Sequence, residues 1–176
     1  MLAIPGKLSR KIVGTLVAFL LVLTGAIGLT LMISWQLEGV AAAINDAGSQ
    51  RMRAYHLGLL MTRTSTTPDA AQLERLAGEV RVFDEVLRQL EQGDPVRPLA
   101  SPRDGEVRQL LLRVDQSWQR DLRPEVEAFL AAPPAGRAAI LARFEVQMDP
   151  FVGRINELVM TMERSYAEDT ALLRSV

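Results

Sequence analysis

The residues best equipped for chemistry lie in one stretch, "NDAGSQRMRAYH", Asn45 to His56. A three-and-four spacing carried from Leu37 through Val40, Ile44 and Ala47 reaches Arg51, then Ala54, Gly58 and Met61. A helix here is therefore expected to carry a guanidinium on its inward seam. Burying that charge without a partner costs on the order of several kcal/mol, so water, a carboxylate of another helix or a bound anion must compensate it. Gly48 lies one turn before Arg51. Glycine inside a helix is destabilising by roughly 1 kcal/mol relative to alanine, so Gly48 implies either a close helix contact or room for a small guest. If two copies paired through this helix, their arginines would repel unless an anion lay between them. A planar oxyanion suits that role, because each guanidinium offers a rigid fork of donors. The plainer reading is an internal salt bridge from Arg51, with the glycines permitting tight packing. His56, the one histidine of the chain, is either a pH-sensitive contributor to the same site or a packed or surface residue without a ligand role.

Other chemistries find no support. The sequence has no glycine-rich phosphate loop, no HExxH pair and no Gly-x-Ser-x-Gly elbow, so no catalytic residues and no metal or cofactor site are expected. With no cysteine, disulfides and zinc-thiolate sites are impossible. From Gln36 onward, 17 arginines face 21 acidic residues, a net charge of −4. Such a surface does not suit nucleic acid.

The elements that must position Arg51 begin with an anchor. Ile12 to Trp35 is a run of 24 uncharged residues, where about 20 suffice to cross a bilayer. The apolar region of a cleaved leader is shorter, roughly 7 to 15 residues. Lys7, Arg10 and Lys11 crowd the N-terminal side, which places that end in the cytoplasm and the remainder outside.

Beyond the span, breakers separate four helical stretches. The first continues out of the membrane to "TRTSTTPD". Thr67 as cap with Pro68 in the first turn starts the second, whose seam is Leu73, Leu76, Val80, Phe83, Leu87 and Leu90. The loop "GDPVRPLASPRDG" ends in a capping box with Ser101 as cap and Asp104 reaching back. The third helix buries Val107, Leu110, Val114 and Trp118 and meets Pro124, which should kink it or break its pattern. After "AAPPAG" the fourth runs from about Arg137, with Leu141, Phe144, Met148, Phe151, Ile155, Leu158 and Met162 inward and a bend expected at Pro150. Short connections make successive helices antiparallel.

The stretch Asn45 to His56 resembles the periplasmic P-box of the NarX and NarQ nitrate/nitrite sensor histidine kinases. The ligand-binding domain of PilJ-type chemotaxis transducers carries a similar box. Asn45, Ala47, Gly48, Ser49, Arg51, Met52 and Tyr55 match the pattern. The resemblance implies a homodimer through the first helix, with nitrate or nitrite at the dimer axis held by paired Arg51 side chains and Gly48 beside it. One departure stands out: His56 occupies the place of the family's usual second arginine, which makes the site less positive and more sensitive to pH.

The expectation is thus an all-α protein, an N-terminal transmembrane helix continuing into an antiparallel up-down-up-down four-helix bundle. Residues 1–11 are cytoplasmic, 12–35 span a bacterial inner membrane and 36–176 form the periplasmic sensor, with Arg51, Gly48 and His56 as ligand residues. A second span and an output module are expected beyond Val176, so this segment is not itself an enzyme. The leading expectation for the output is a histidine kinase with a response regulator as indirect partner. The alternatives are a methyl-accepting chemotaxis transducer and a ligand-free membrane-tethered bundle.

Overall fold

The computed structural model describes residues 6–67 and 69–174, with side chains for 10–35, 38–67 and 69–168. Five α-helices account for nearly all of it: α1 (Gly6–Thr66), α2 (Ala70–Gln92), α3 (Gly105–Ser117), α4 (Arg123–Ala131) and α5 (Pro134–Arg174). A π-helical turn, Trp118–Leu122, joins α3 to α4. The chain divides into two units, Met1–Glu38 and Gly39–Val176, and α1 contributes to both.

In the first unit the helix is long and apolar enough to cross a membrane. Phe19, Leu21, Val22 and Trp35 are each about two-thirds exposed, a surface that water does not tolerate in bulk and lipid does.

The second unit is the bundle. Contacts fix its directions. Thr64 meets Gln72 while Arg53 meets Glu79, so α2 runs against α1. Trp118 reaches Asp84, and on the last helix Arg154 meets Ser117 while Arg143 meets Glu125. The topology is up-down-up-down, with α3, the π turn and α4 acting as the third rod. The seams expected on α2 and α5 are buried as read, with Leu73 and Leu141 partly so, and Leu111 joins the core from α3. At the centre Trp118 stacks on Phe83 with ring centroids 4.1 Å apart, and Phe151 lies 5.9 Å from Phe83.

Proline shapes the third rod. The Arg123 N–H bonds to the Trp118 carbonyl, five residues back, which accommodates one extra residue just before Pro124. Val107, Leu110 and Val114 on one side of this turn, and Val126 and Phe129 on the other, are out of step by one residue, yet all are buried. The extra residue turns the second set back towards the same core. Pro150, by contrast, lies within a continuous α5. Val146, whose carbonyl lacks the proline's N–H, is largely exposed, so water can take that donor's place.

Both expected caps are corrected. The α2 cap is Asp69, whose side chain accepts from the Ala71 N–H, and Pro68 lies outside the described residues. The α3 cap is Asp104, which accepts from the Glu106 and Val107 N–H groups, leaving Ser101 in the loop. In both cases an aspartate nearer the helix outcompetes the hydroxyl residue, because its carboxylate satisfies orphan donors and also complements the positive helix end. The loop itself holds an unexpected two-residue antiparallel pair, Gly93–Asp94 with Leu99–Ala100. It is hooked to α1 twice. Arg97 pairs with Asp46 at 2.9 Å, and the Pro98 carbonyl sits so close to Gly39 that an added Cβ would lie 1.9 Å from its oxygen.

Candidate functional site

From Gly39 on, the inward face of α1 is Ala47, Gln50, Ala54, Leu57, Met61 and Thr64. Arg51 is exposed, which corrects the expectation that it occupies the seam. At this turn the polar seam residue is its neighbour Gln50, almost fully buried, whose Nε2 donates to the Phe83 carbonyl at 3.2 Å. An amide can enter a core by bonding a backbone carbonyl, whereas an unpaired guanidinium cannot.

Arg51 stands beside that seam, on the flank nearer α5. Its Nη1 donates to Asn156 Oδ1 at 2.9 Å. Among the described residues, then, Arg51 makes no salt bridge of the kind the plainer reading expects, since this partner carries no charge. Gly48 lies in open space, where an added Cβ would meet nothing within 4 Å. Packing among the described residues gives no reason for a glycine there. Gly58 does meet such a constraint, with Phe144 and Met148 at 3.5 Å.

His56 leaves the helix on another flank. At 100° per residue, five residues set it about 140° round from Arg51. Its Nδ1 is 3.7 Å from Glu79 Oε1, and Arg53 takes the other oxygen of that carboxylate at 3.2 Å. Within one chain, then, Arg51 and His56 are not brought together.

Opposite the seam, α1 presents Ala41, Asn45, Gly48, Met52, Tyr55 and Leu59, again at spacings of three and four. Met52 is 70% exposed, Tyr55 49% and Leu59 45%. Arg51 borders this face. Asn156 is the site neighbour that sequence reasoning missed: it belongs to no motif, and only the antiparallel register of α5 on α1 brings it to position 51.

Fold and site together define a class: a helical bundle that follows, in the chain, an apolar helix long enough to cross a membrane, with an amide-held arginine beside an exposed helix face. Residues 32–143 match the family described as "PilJ: Type IV pili methyl-accepting chemotaxis transducer N-term", and the chain belongs to that family. Among solved structures it is similar to the ligand-binding domain of the P. aeruginosa nitrate receptor McpN, at 21% identity and a TM-score of 0.57, covering 70% of this chain and 95% of that one. No match was found among curated proteins. The family match supports the chemotaxis-transducer alternative better than the histidine-kinase reading.

Proposed function

We propose that this chain is the ligand-binding sensor of a PilJ-type chemotaxis transducer, and that it holds a small planar anion, nitrate or nitrite, between the first helices of two copies. The observation that carries this reading is the Arg51 guanidinium: held by a neutral amide, and paired with no carboxylate among the described residues, it stands at the edge of an open, partly apolar helix face centred on Gly48. Exposed Met52, Tyr55 and Leu59 on that face favour a second copy as the covering surface. Absence of a Cβ at Gly48 would let the partner's backbone or an anion approach closely. Paired guanidiniums across the axis would then be neutralised by the guest rather than by the protein.

The name of the McpN receptor supports nitrate as the first anion to try. Lys7, Arg10 and Lys11 favour a cytoplasmic N-terminus, residues 12–35 as the span and a sensor outside the inner membrane. Ligand would shift the first helices relative to one another, and that displacement would reach the cytoplasmic output. A histidine kinase output, with its response regulator, is the second reading, favoured by Tyr55 at its place in the box.

The test is calorimetric titration of the full chain in detergent with nitrate, nitrite and sulfate, alongside sedimentation to follow dimerisation. Nitrate or nitrite should bind and promote the dimer. Arg51→Ala should abolish binding, since removing a desolvated charge partner costs about 2 to 5 kcal/mol. Absence of heat with all three anions, and identical behaviour of Arg51→Ala, would leave only a structural bundle.

A further inference from the structure

We propose that Asn156 is a positioning residue for the anion site, orienting the Arg51 guanidinium while leaving its charge available. This rests on Arg51 being the ligand residue.

The chemistry of the contact fixes its sense. A guanidinium has donors and no acceptor, so the amide atom that faces Arg51 Nη1 at 2.9 Å has to be the oxygen of Asn156. One hydrogen of Nη1 is thereby used, and the Nε and Nη2 hydrogens are left to meet a planar oxyanion. Arg51 is an exposed, long side chain on α1, and without an anchor it would sample many rotamers. An anchor on a different helix removes that freedom before the ligand arrives, which favours binding. Asn156 is well placed to be rigid, because its neighbours on α5, Ile155 and Leu158, are buried in the core.

Neutrality of this partner matters for the ligand. Arg53, Arg88, Arg97, Arg123 and Arg143 each pair with a carboxylate of the chain. Arg51, like Arg137 and Arg154, is held instead by a neutral oxygen, and it alone of these three borders the open face of α1. A carboxylate at position 156 would make a stronger contact and a more stable fold, but it would cancel the charge an anion needs.

That opposition supplies the experiment. Nitrate is titrated calorimetrically into the full chain in detergent for the wild type, Asn156→Ser, Asn156→Ala, Asn156→Asp and Arg51→Ala, with thermal melting in parallel. If Asn156 positions Arg51, Asn156→Ala weakens nitrate by about tenfold, the loss of one hydrogen bond to a charged group. Asn156→Asp weakens it by about 100-fold or more, through neutralisation, while its melting temperature holds or rises. Asn156→Ser, which keeps a neutral oxygen, lies between wild type and alanine. A merely structural Asn156 gives the opposite order, with aspartate binding as well as or better than alanine, and that result overturns the proposal. So does wild-type affinity in all three Asn156 variants while Arg51→Ala is dead. If the wild type itself ignores nitrate, the anion reading of Arg51 fails with it.

Discussion

Gly48→Ala separates a functional glycine from a structural one by giving stability and binding changes of opposite sign. Glycine inside a helix is about 1 kcal/mol less favourable than alanine, and here a Cβ would meet nothing within 4 Å. The substitution should therefore stabilise the isolated chain by up to about 1 kcal/mol, or roughly 4 °C in melting temperature for a domain of this size. Gly39 serves as the control. It too is helical, but its Cβ would come within 1.9 Å of the Pro98 carbonyl oxygen, and because that atom is backbone, Gly39→Ala must shift the loop and lower the melting temperature. If Gly48 faces a partner chain and its anion, the stabilised Gly48→Ala protein should lose nitrate affinity, and bulkier Gly48→Leu should lose it entirely along with nitrate-driven dimerisation. Melting is measured at low protein concentration without anion, so that only the single chain is read, and binding is measured by calorimetry. Unchanged nitrate affinity in Gly48→Leu would refute the apposition of this face. A lower melting temperature for Gly48→Ala would refute the claim that the position is open.

Further expectations concern other residues. His56→Arg, which restores the family's second arginine, should tighten nitrate binding in the same calorimetric titration; an indifferent result would put His56 outside the site. Trp118→Phe removes the indole donor 2.7 Å from Asp84 Oδ1 and should cost about 2 to 3 kcal/mol in urea denaturation. Asp104 is held below the usual carboxylate range by its hydrogen bond from Ser165 and by the Glu106 and Val107 N–H groups. Its folded pKa is depressed, so its contribution is complete above the unfolded value near about 3.9 and is lost as pH falls through the lower native value. The melting-temperature gap between wild type and Asp104→Ala should thus be full at pH 6 to 7 and shrink below about pH 4.

The stripes on α2 and α5 were legible because large residues mark them: with Leu, Phe and Met at strict spacing, few other faces can be buried. On α1 the same method went astray by one residue. Its inward positions Ala47 and Ala54 are too small to distinguish a seam from its flank, and the choice between Gln50 and Arg51 rests on what each side chain can bond, which needs the Phe83 carbonyl in view. The seam reading makes Arg51 a buried charge in want of a partner, whereas the residue is exposed and bonded to an amide. Its actual partner was not legible, because Asn156 is 105 residues away and carries no pattern of its own. The caps missed by two and three residues, since Thr67 and Asp69, or Ser101 and Asp104, are rivals with the same chemistry. Pro124 did mark a disturbance, but sequence alone could not tell a kink from the π-helical turn that precedes it.

That turn also constrains how this chain can be lined up with its relatives. A relative whose third rod is unbroken α-helix must carry its downstream core residues one position earlier, and a true alignment opens a single-residue gap between positions 118 and 122. Engineers who delete one residue there to tidy the helix would rotate Val126 and Phe129 by about 100° towards solvent; the spare residue is a phase correction that the core depends on.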